Sequence, residues 1–248
     1  MSNAEVEKDI RTYVDSELNK RFRGWRVALK GEVLEALVLA AKGMFRWAAC
    51  QVDILTRKRT SYGIKQALKE LPETLDETYE IILVEISQDD RILARTILAW
   101  IYANITMELE PMSASVLIEA MHKGASYPPG TQSEYTVSDI NSICGCLVTV
   151  FAASTGLLNE IESAEEDLDL SRKPSDYRVA FSHYTVHEFL TEDRINTSKA
   201  NFFAICNDPV TNGYLEVALT AAASFDKLPR EPSFMSYCIG VASTAYFI

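Results

Sequence analysis

The chain has 248 residues, of which 48% are apolar and 24% are charged, and its formal net charge at pH 7 is −11. This length and composition suffice for one large or two small globular units with buried cores. A net-acidic chain is poorly suited to holding nucleic-acid phosphates, and the apolar run at 234–248 is shorter than the about 18 to 20 residues that span a bilayer. The N-terminus is polar and acidic and lacks the pattern of a secretory signal, so we expect a cytoplasmic protein.

The five cysteines are odd in number and widely scattered, which favours buried free thiols over a disulfide framework. Cys144 and Cys146, together with His183 and His187, have the residue types of a zinc site. However, one residue separates the two cysteines instead of the usual two, and the surrounding run is apolar. We therefore expect no metal ion.

Apolar residues recur at helical spacing through residues 1–72 and predict a helical subdomain. The stripes are Ile10, Tyr13, Val14 and Leu18; then Val33, Leu34, Leu37, Ala41, Met44, Ala48, Val52 and Leu55; then Ile64, Leu68 and Leu71. The second stripe predicts one long helix with Gly43 in its interior, where glycine costs up to about 1 kcal/mol relative to alanine. Such a glycine is usually retained for the close approach of another backbone.

Helix-start signals mark the next part of the chain. Thr74 and Glu77 have the spacing of a capping box and predict a helix that begins at this point. The polar stretch 88–90 interrupts the helical pattern, which then resumes. Further along, Ser138 and Asp139 are predicted to cap another helix.

Two β-rich stretches follow these helices. Val148–Phe151 is predicted to form one strand and Tyr177–Phe181 its hairpin partner, with Gly156–Leu158 extending a second edge. Residues 160–169 include six acidic side chains and predict a solvated loop. Short helices followed by a hairpin with a long tip loop are typical of a winged helix.

The predicted fold is therefore mainly α, with three parts: a helical subdomain at 1–72, a winged-helix domain with a small β-hairpin at 73–196, and a C-terminal helical segment at 197–248. This last segment ends inside an apolar run, so we expect it to be truncated. Charge is uneven, because residues 1–70 hold 14 Lys and Arg against 9 Asp and Glu, whereas the remainder is strongly acidic. This distribution favours a role that faces other protein surfaces.

The most informative stretch is 177–190, in which a short strand runs through His183 directly into an amphipathic helix. The start of a helix presents unpaired backbone N–H groups and attracts anions such as phosphate. A histidine at this position can donate to the same anion, although polar residues at helix starts more often serve as caps. Ser182 beside it lacks the neighbours of a catalytic nucleophile, because adjacent strand residues point to opposite faces.

Three stretches in this order resemble one family: Ala41-Lys-Gly-Met-Phe-Arg-Trp47, Leu71-Pro-Glu-Thr-Leu-Asp-Glu-Thr-Tyr-Glu80 and Phe181-Ser-His-Tyr-Thr-Val-His-Glu-Phe-Leu190. They look like the region that follows the P-loop core in fungal NACHT-type STAND ATPases. These proteins are relatives of the NOD-like receptors and often carry ankyrin or WD40 repeats. The similarity covers about residues 5–225 and implies a helical subdomain and a winged helix that fold over a bound nucleotide.

The resemblance also implies roles for individual residues. His183 matches the histidine that touches the phosphates of ADP in the closed, inactive state of the family. Many relatives of the wider class place a proline against the adenine, whereas the corresponding stretch here includes Gly43 and Phe45. Adenine-side contact at these two positions is the expectation, while His187 matches no ligand of the family.

The chain departs from the family in lacking the phosphate-binding pattern G-x-x-x-x-G-K-[ST], for which Gly63-Ile-Lys65 is no substitute. We therefore expect no catalysis by this chain alone. ADP or ATP, a P-loop core, repeat domains and self-association are implied only for a full-length relative.

Two alternatives to this interpretation remain. The chain could be a degenerate member of the family that acts as a protein-interaction module. It could also be a DNA-binding winged helix, but the predicted recognition helix at 138–147 contains no Lys or Arg.

Overall fold

The computed structural model describes residues 3–106, 110–124, 135–153 and 172–205. It is mainly helical, as the sequence predicted, and the predicted β-hairpin is part of a small three-stranded antiparallel sheet. The chain divides into two compact units, Met1–Glu85 and Ile86–Ile248. Within the described residues, no helix is long and apolar enough to cross a membrane.

The first unit consists of helices only. They are α1 (Asn3–Arg21), α2 (Val27–Ala41), α3 (Phe45–Thr56), α4 (Ser61–Lys69) and α5 (Leu75–Glu85). One apolar cluster holds α1 to α4 together, because the stripes predicted from the sequence all face inward. Its buried members include Ile10, Val14, Leu18, Val33, Leu37, Ala41, Trp47, Ala48, Val52, Leu55 and Ile64.

The prediction of one long helix through Gly43 was wrong, since α2 ends at Ala41 and α3 begins at Phe45. Lys42 has φ 48° and Gly43 has φ 83°, so both residues lie in the left-handed region. Glycine adopts that conformation without steric cost, which explains its presence at a helix end. The apolar stripe continues across the break because both helices face the same core.

The capping box at the start of α5 was predicted correctly. The Glu77 backbone N–H donates to Thr74 Oγ1 at 3.2 Å, and the Glu77 carboxylate accepts from the Thr74 backbone N–H at 3.4 Å. The boundary between the two units falls after α5, whereas the sequence interpretation placed its domain boundary at residue 72.

The second unit combines helices with the sheet. In chain order it contains α6 (Arg91–Thr106), β1 (Met112–Ser113), α7 (Ala114–Gly124), α8 (Val137–Cys144), β2 (Val148–Ala152), β3 (Tyr177–Phe181) and α9 (Tyr184–Thr191). Its core is formed by the inward faces of these elements. The buried side chains include Leu93, Ile97, Leu98, Ile101, Leu117, Met121, Ile140, Leu147, Val179, Val186 and Leu190.

The sheet has the strand order β1-β3-β2, and both neighbours are antiparallel to β3. The two strands predicted from the sequence are confirmed as a pair, with Val148 opposite Phe181 and Ala152 opposite Tyr177. The short strand β1 was not predicted. A two-residue strand carries no alternation of apolar and polar positions that could reveal it.

The predicted cap of α8 was wrong, because the helix begins earlier than Ser138. Thr136 is the N-cap, and the Asp139 carboxylate accepts from the Thr136 backbone N–H at 2.7 Å. Ser138 instead lies in the first turn of the helix. A capping box with an aspartate partner is the same arrangement that the sequence analysis recognised at Thr74, so this spacing was the missed signal.

Other predicted features lie outside the described residues. These are the edge at Gly156–Leu158, the acid-rich loop at 160–169 and the C-terminal segment beyond Ile205. The described part of the C-terminal segment contains a 3-10 turn at Asn201–Phe203.

Candidate functional site

His183 lies where β3 passes into α9, as the sequence predicted, and it is the N-cap residue of that helix. Its ring nitrogen Nδ1 accepts from the Thr185 backbone N–H at 3.3 Å and lies 2.9 Å from Thr185 Oγ1. His183 is half-buried. His183 therefore serves as a helix cap in this structure.

The capping bond also determines which ring nitrogen of His183 carries hydrogen. A nitrogen that accepts a hydrogen bond is unprotonated, so the neutral ring carries its hydrogen on Nε2. The Nε2 atom is thus the donor of the neutral imidazole. A protonated Nε2 is a donor of the kind that a phosphate oxygen accepts from.

The residues on either side of His183 have different surroundings. Tyr184 is 67% exposed, and its ring lies at a centroid distance of 4.5 Å from the imidazole. The Ser182 hydroxyl donates to the carbonyl oxygen of Cys146, and the Ser182 backbone N–H donates to the Leu147 carbonyl at 3.1 Å. These two bonds fix Ser182 to the start of β2 and give its hydroxyl a structural role.

His187 stacks on Tyr102 of α6 at a centroid distance of 5.2 Å and an interplanar angle of 23°. Phe181 meets the same imidazole edge-on at 6.4 Å. The ring therefore joins α9 to α6 and to the end of β3. Aromatic contacts of this kind contribute to packing.

Gly43 and Phe45, the expected adenine-side residues, lie at the break between α2 and α3 in the first unit. Phe45 is 44% exposed, and its ring lies 4.8 Å from that of Tyr13 in α1. The structure thus gives Gly43 a conformational role and leaves nearly half of Phe45 accessible. His183 belongs to the second unit.

Hydrogen bonds connect the first two motifs that carry the family resemblance, and the sequence analysis missed them. Trp47 Nε1 donates to the Pro72 carbonyl at 3.0 Å, and Gln51 Nε2 donates to Thr78 Oγ1 at 3.1 Å in the buried interior. Arg46 Nε also lies 3.4 Å from the hydroxyl of Tyr79, which is fully buried. These hydrogen bonds therefore dock α5 and the segment before it onto α3.

A signal for this link was present in the sequence, because a buried tryptophan needs an acceptor for its N–H group. Which carbonyl supplies it could not be known before the helices were placed. In the part of the chain that the structure describes, no group of three or more His, Cys, Asp or Glu side chains is arranged to hold a metal ion.

Comparison with known proteins gives limited further information. No family model matches the chain, and no solved structure matches it. A curated relative is azaphilone pigments biosynthesis cluster protein L of Monascus ruber, which is 28% identical over 200 residues. The match covers 74% of this chain and 37% of the relative, so the chain corresponds to little more than a third of that protein.

Proposed function

We propose that this chain is the regulatory portion of a NACHT-type signalling ATPase, in which it senses the state of a bound nucleotide and does not catalyse a reaction itself. The observation that carries the proposal is the position of His183 at the strand-to-helix junction in a fold of the expected class. The nucleotide and the P-loop core would come from another part of a larger polypeptide.

The element order of the second unit supports a winged helix. Helix α6, strand β1, helices α7 and α8, and strands β2 and β3 follow one another, and β3 lies between the other two strands. A helix-turn-helix variant with an attached antiparallel hairpin has this arrangement. In this proposal α9 is the helix whose start meets the nucleotide.

The chemistry at the start of α9 supports phosphate as the ligand. Backbone N–H groups of the first helical turn and the positive end of the helix dipole favour an anion there. Nε2 of His183 adds a donor, because Nδ1 is already occupied with Thr185. A contact of this kind stabilises the closed state by about 1 to 3 kcal/mol, provided that the phosphate is present in that state only.

The experiment separates the cap of α9 from the phosphate contact by comparing two substitutions at the position of His183 in a full-length relative. Asparagine is a good N-cap and keeps an acceptor for the Thr185 N–H, but it has no group at the position of Nε2. Alanine removes both functions. We expect both variants to lose bound ADP and, when nucleotide-free proteins are compared, only the alanine variant to show a lowered melting temperature.

The matched control is the asparagine substitution at His122, the remaining histidine of the three. His122 lies on α7 against the ring of Tyr135. This variant should retain ADP. Bound nucleotide is measured by chromatography of the heat-extracted protein. The proposal fails if the asparagine variant at His183 retains as much ADP as the wild type.

A protein-interaction module without nucleotide is the second candidate, and the bonds that join the first two motifs favour it. Since Arg46 and Trp47 have structural partners in α5 and the segment before it, these motifs would persist in a protein that had lost its P-loop core. An unchanged level of self-association in the presence and absence of ADP would favour this candidate over nucleotide sensing.

A DNA-binding role is weakly supported. Helix α8 would be the recognition helix, and its exposed residues are Ser138, Asn141 and Ser142. Contacts to DNA phosphates require cations, and α8 has none. A gel-shift assay at low salt should show no complex.

A further inference from the structure

Helices α1 and α3 end at the same place in the first unit, and a shared carboxylate marks it. Asp53 Oδ1 lies 3.8 Å from Nη1 of Arg21, the last residue of α1. Asp53 Oδ2 lies 3.2 Å from Nη2 of Arg57, which directly follows α3. Arg21 also pairs with the buried Glu17, at 2.6 Å from Nε to Oε2. Ion pairs to Glu17 and Asp53 thus position these two arginines.

Three further arginines lie in the links that follow α1 and α3. Arg23 and Arg26 lie in the link between α1 and α2, and Arg59 lies two residues beyond Arg57 in the link to α4. All three are exposed. In the described ranges, no ion pair or side-chain hydrogen bond connects any of them to an acidic residue. We call Arg23, Arg26 and Arg59 the outer arginines.

Apolar side chains accompany these charges. Val27, which opens α2 next to Arg26, is 86% exposed. Trp25 is half-buried and lies at a ring centroid distance of 3.9 Å from Phe22. An exposed valine and a partly exposed tryptophan among arginines have the composition of the energetically important part of many protein interfaces.

We propose that the outer arginines, with Val27 and Trp25, form a docking surface for an acidic segment of a partner protein, in which carboxylates alternate with apolar side chains. The guanidinium group matches a carboxylate with two parallel hydrogen bonds, which explains the use of arginine at all three positions. In this proposal Val27 and Trp25 supply the apolar contact.

The net charge of the chain favours a peptide over other anions. The net charge of −11 means that the protein repels nucleic acid or an anionic membrane wherever either extends beyond the outer arginines. A short acidic segment can contact the outer arginines alone. The proposal is independent of the nucleotide-sensing function, because it involves residues of the first unit and needs no phosphate.

The experiment uses the complete chain and a fluorescein-labelled peptide of repeated Glu-Glu-Leu units, with a Gln-Gln-Leu peptide as the uncharged control. Binding is followed by fluorescence anisotropy. The test variant carries R23Q, R26Q and R59Q. We expect its dissociation constant for the acidic peptide to rise about tenfold, because each exposed charge pair contributes modestly. Added salt should weaken binding by the wild type.

A matched control variant carries K8Q, K42Q and K69Q, which removes the same amount of charge from exposed positions elsewhere in the first unit. It should bind within about twofold of the wild type, since overall charge alone has a small effect. A third variant with lysine at the outer arginine positions keeps the charge but loses the paired hydrogen bonds, so its affinity should lie between those of the wild type and the glutamine variant. Circular dichroism confirms that all three variants fold.

Three results would overturn the proposal. One is equal weakening of peptide binding by the test and control variants, which would mean a non-specific effect of net charge. Another is binding of the Gln-Gln-Leu peptide as tightly as the acidic one. The third is tighter binding to phosphatidylserine-containing vesicles or to single-stranded DNA than to the acidic peptide, with the same dependence on the outer arginines.

Discussion

Replacement of Trp47 with phenylalanine tests whether the hydrogen bond from α3 to the segment before α5 stabilises the first unit. The indole is fully buried, and its Nε1 donates to the Pro72 carbonyl at 3.0 Å. Loss of this hydrogen bond costs about 1 kcal/mol, and the smaller ring leaves a cavity and loses burial worth about 1 to 2 kcal/mol. We therefore expect the free energy of unfolding to fall by about 2 to 3 kcal/mol.

The assay is urea unfolding of the complete chain, followed by far-ultraviolet circular dichroism and by tryptophan fluorescence. The control is Trp25→Phe, the same change at a half-buried ring of the same unit, which should lower the free energy by less than about 1 kcal/mol. In each variant the remaining tryptophan of the unit reports its unfolding. If Trp47→Phe shifts the midpoint no more than the control does, the proposed support by this segment is refuted.

Three further predictions concern local features. His183→Ala should lower the free energy of unfolding by about 0.5 to 2 kcal/mol and His183→Asn by only a few tenths, as measured in urea; equal losses would contradict the capping role. Gly43→Ala should destabilise the chain by about 1 kcal/mol or more, because Gly43 has φ 83°. Gly31→Ala should stabilise it by about 0.5 to 1 kcal/mol, because Gly31 lies inside α2 and an added Cβ meets no neighbour there. Thermal melting measures both changes, and the opposite order of stabilities would contradict the backbone argument. The hydrogen bond from Arg11 holds the pKa of Glu35 below its usual value. The stabilisation from this pair is therefore present above the pKa of Glu35 in the unfolded chain, and it is lost as the pH falls through the pKa of Glu35 in the folded chain. Arg11→Gln should raise the pKa of Glu35 in an NMR titration, and an unchanged pKa would exclude the interaction in solution.

Local signals in the sequence predicted the elements well wherever neighbours along the chain determine the structure. The Thr74–Glu77 capping box and the strand Tyr177–Phe181 are two examples, because a cap needs only one helical turn and a strand needs only its alternating pattern. Gly43 shows the limit of this approach. Its apolar neighbours have the same periodicity in one long helix as in two short helices that face one core, so periodicity could not reveal the break.

The contacts of the candidate site were less accessible to prediction from sequence. The position of His183 followed from the strand-to-helix pattern, but its bond to Thr185 depends on the side-chain rotamer at the junction. The stacking of His187 on Tyr102 joins residues 85 positions apart, and their proximity follows only from the way α9 packs on α6. Such contacts are set by tertiary structure and not by local pattern.

The central place of β3 in the sheet has a mechanical consequence for any signal that arrives at His183. The strand is bonded to β1 on one side and to β2 on the other, and Ser182 extends the attachment to the residue directly before the imidazole. The backbone directly before His183 is therefore anchored to both neighbouring strands. A displacement of that backbone would be shared by all three strands of the sheet.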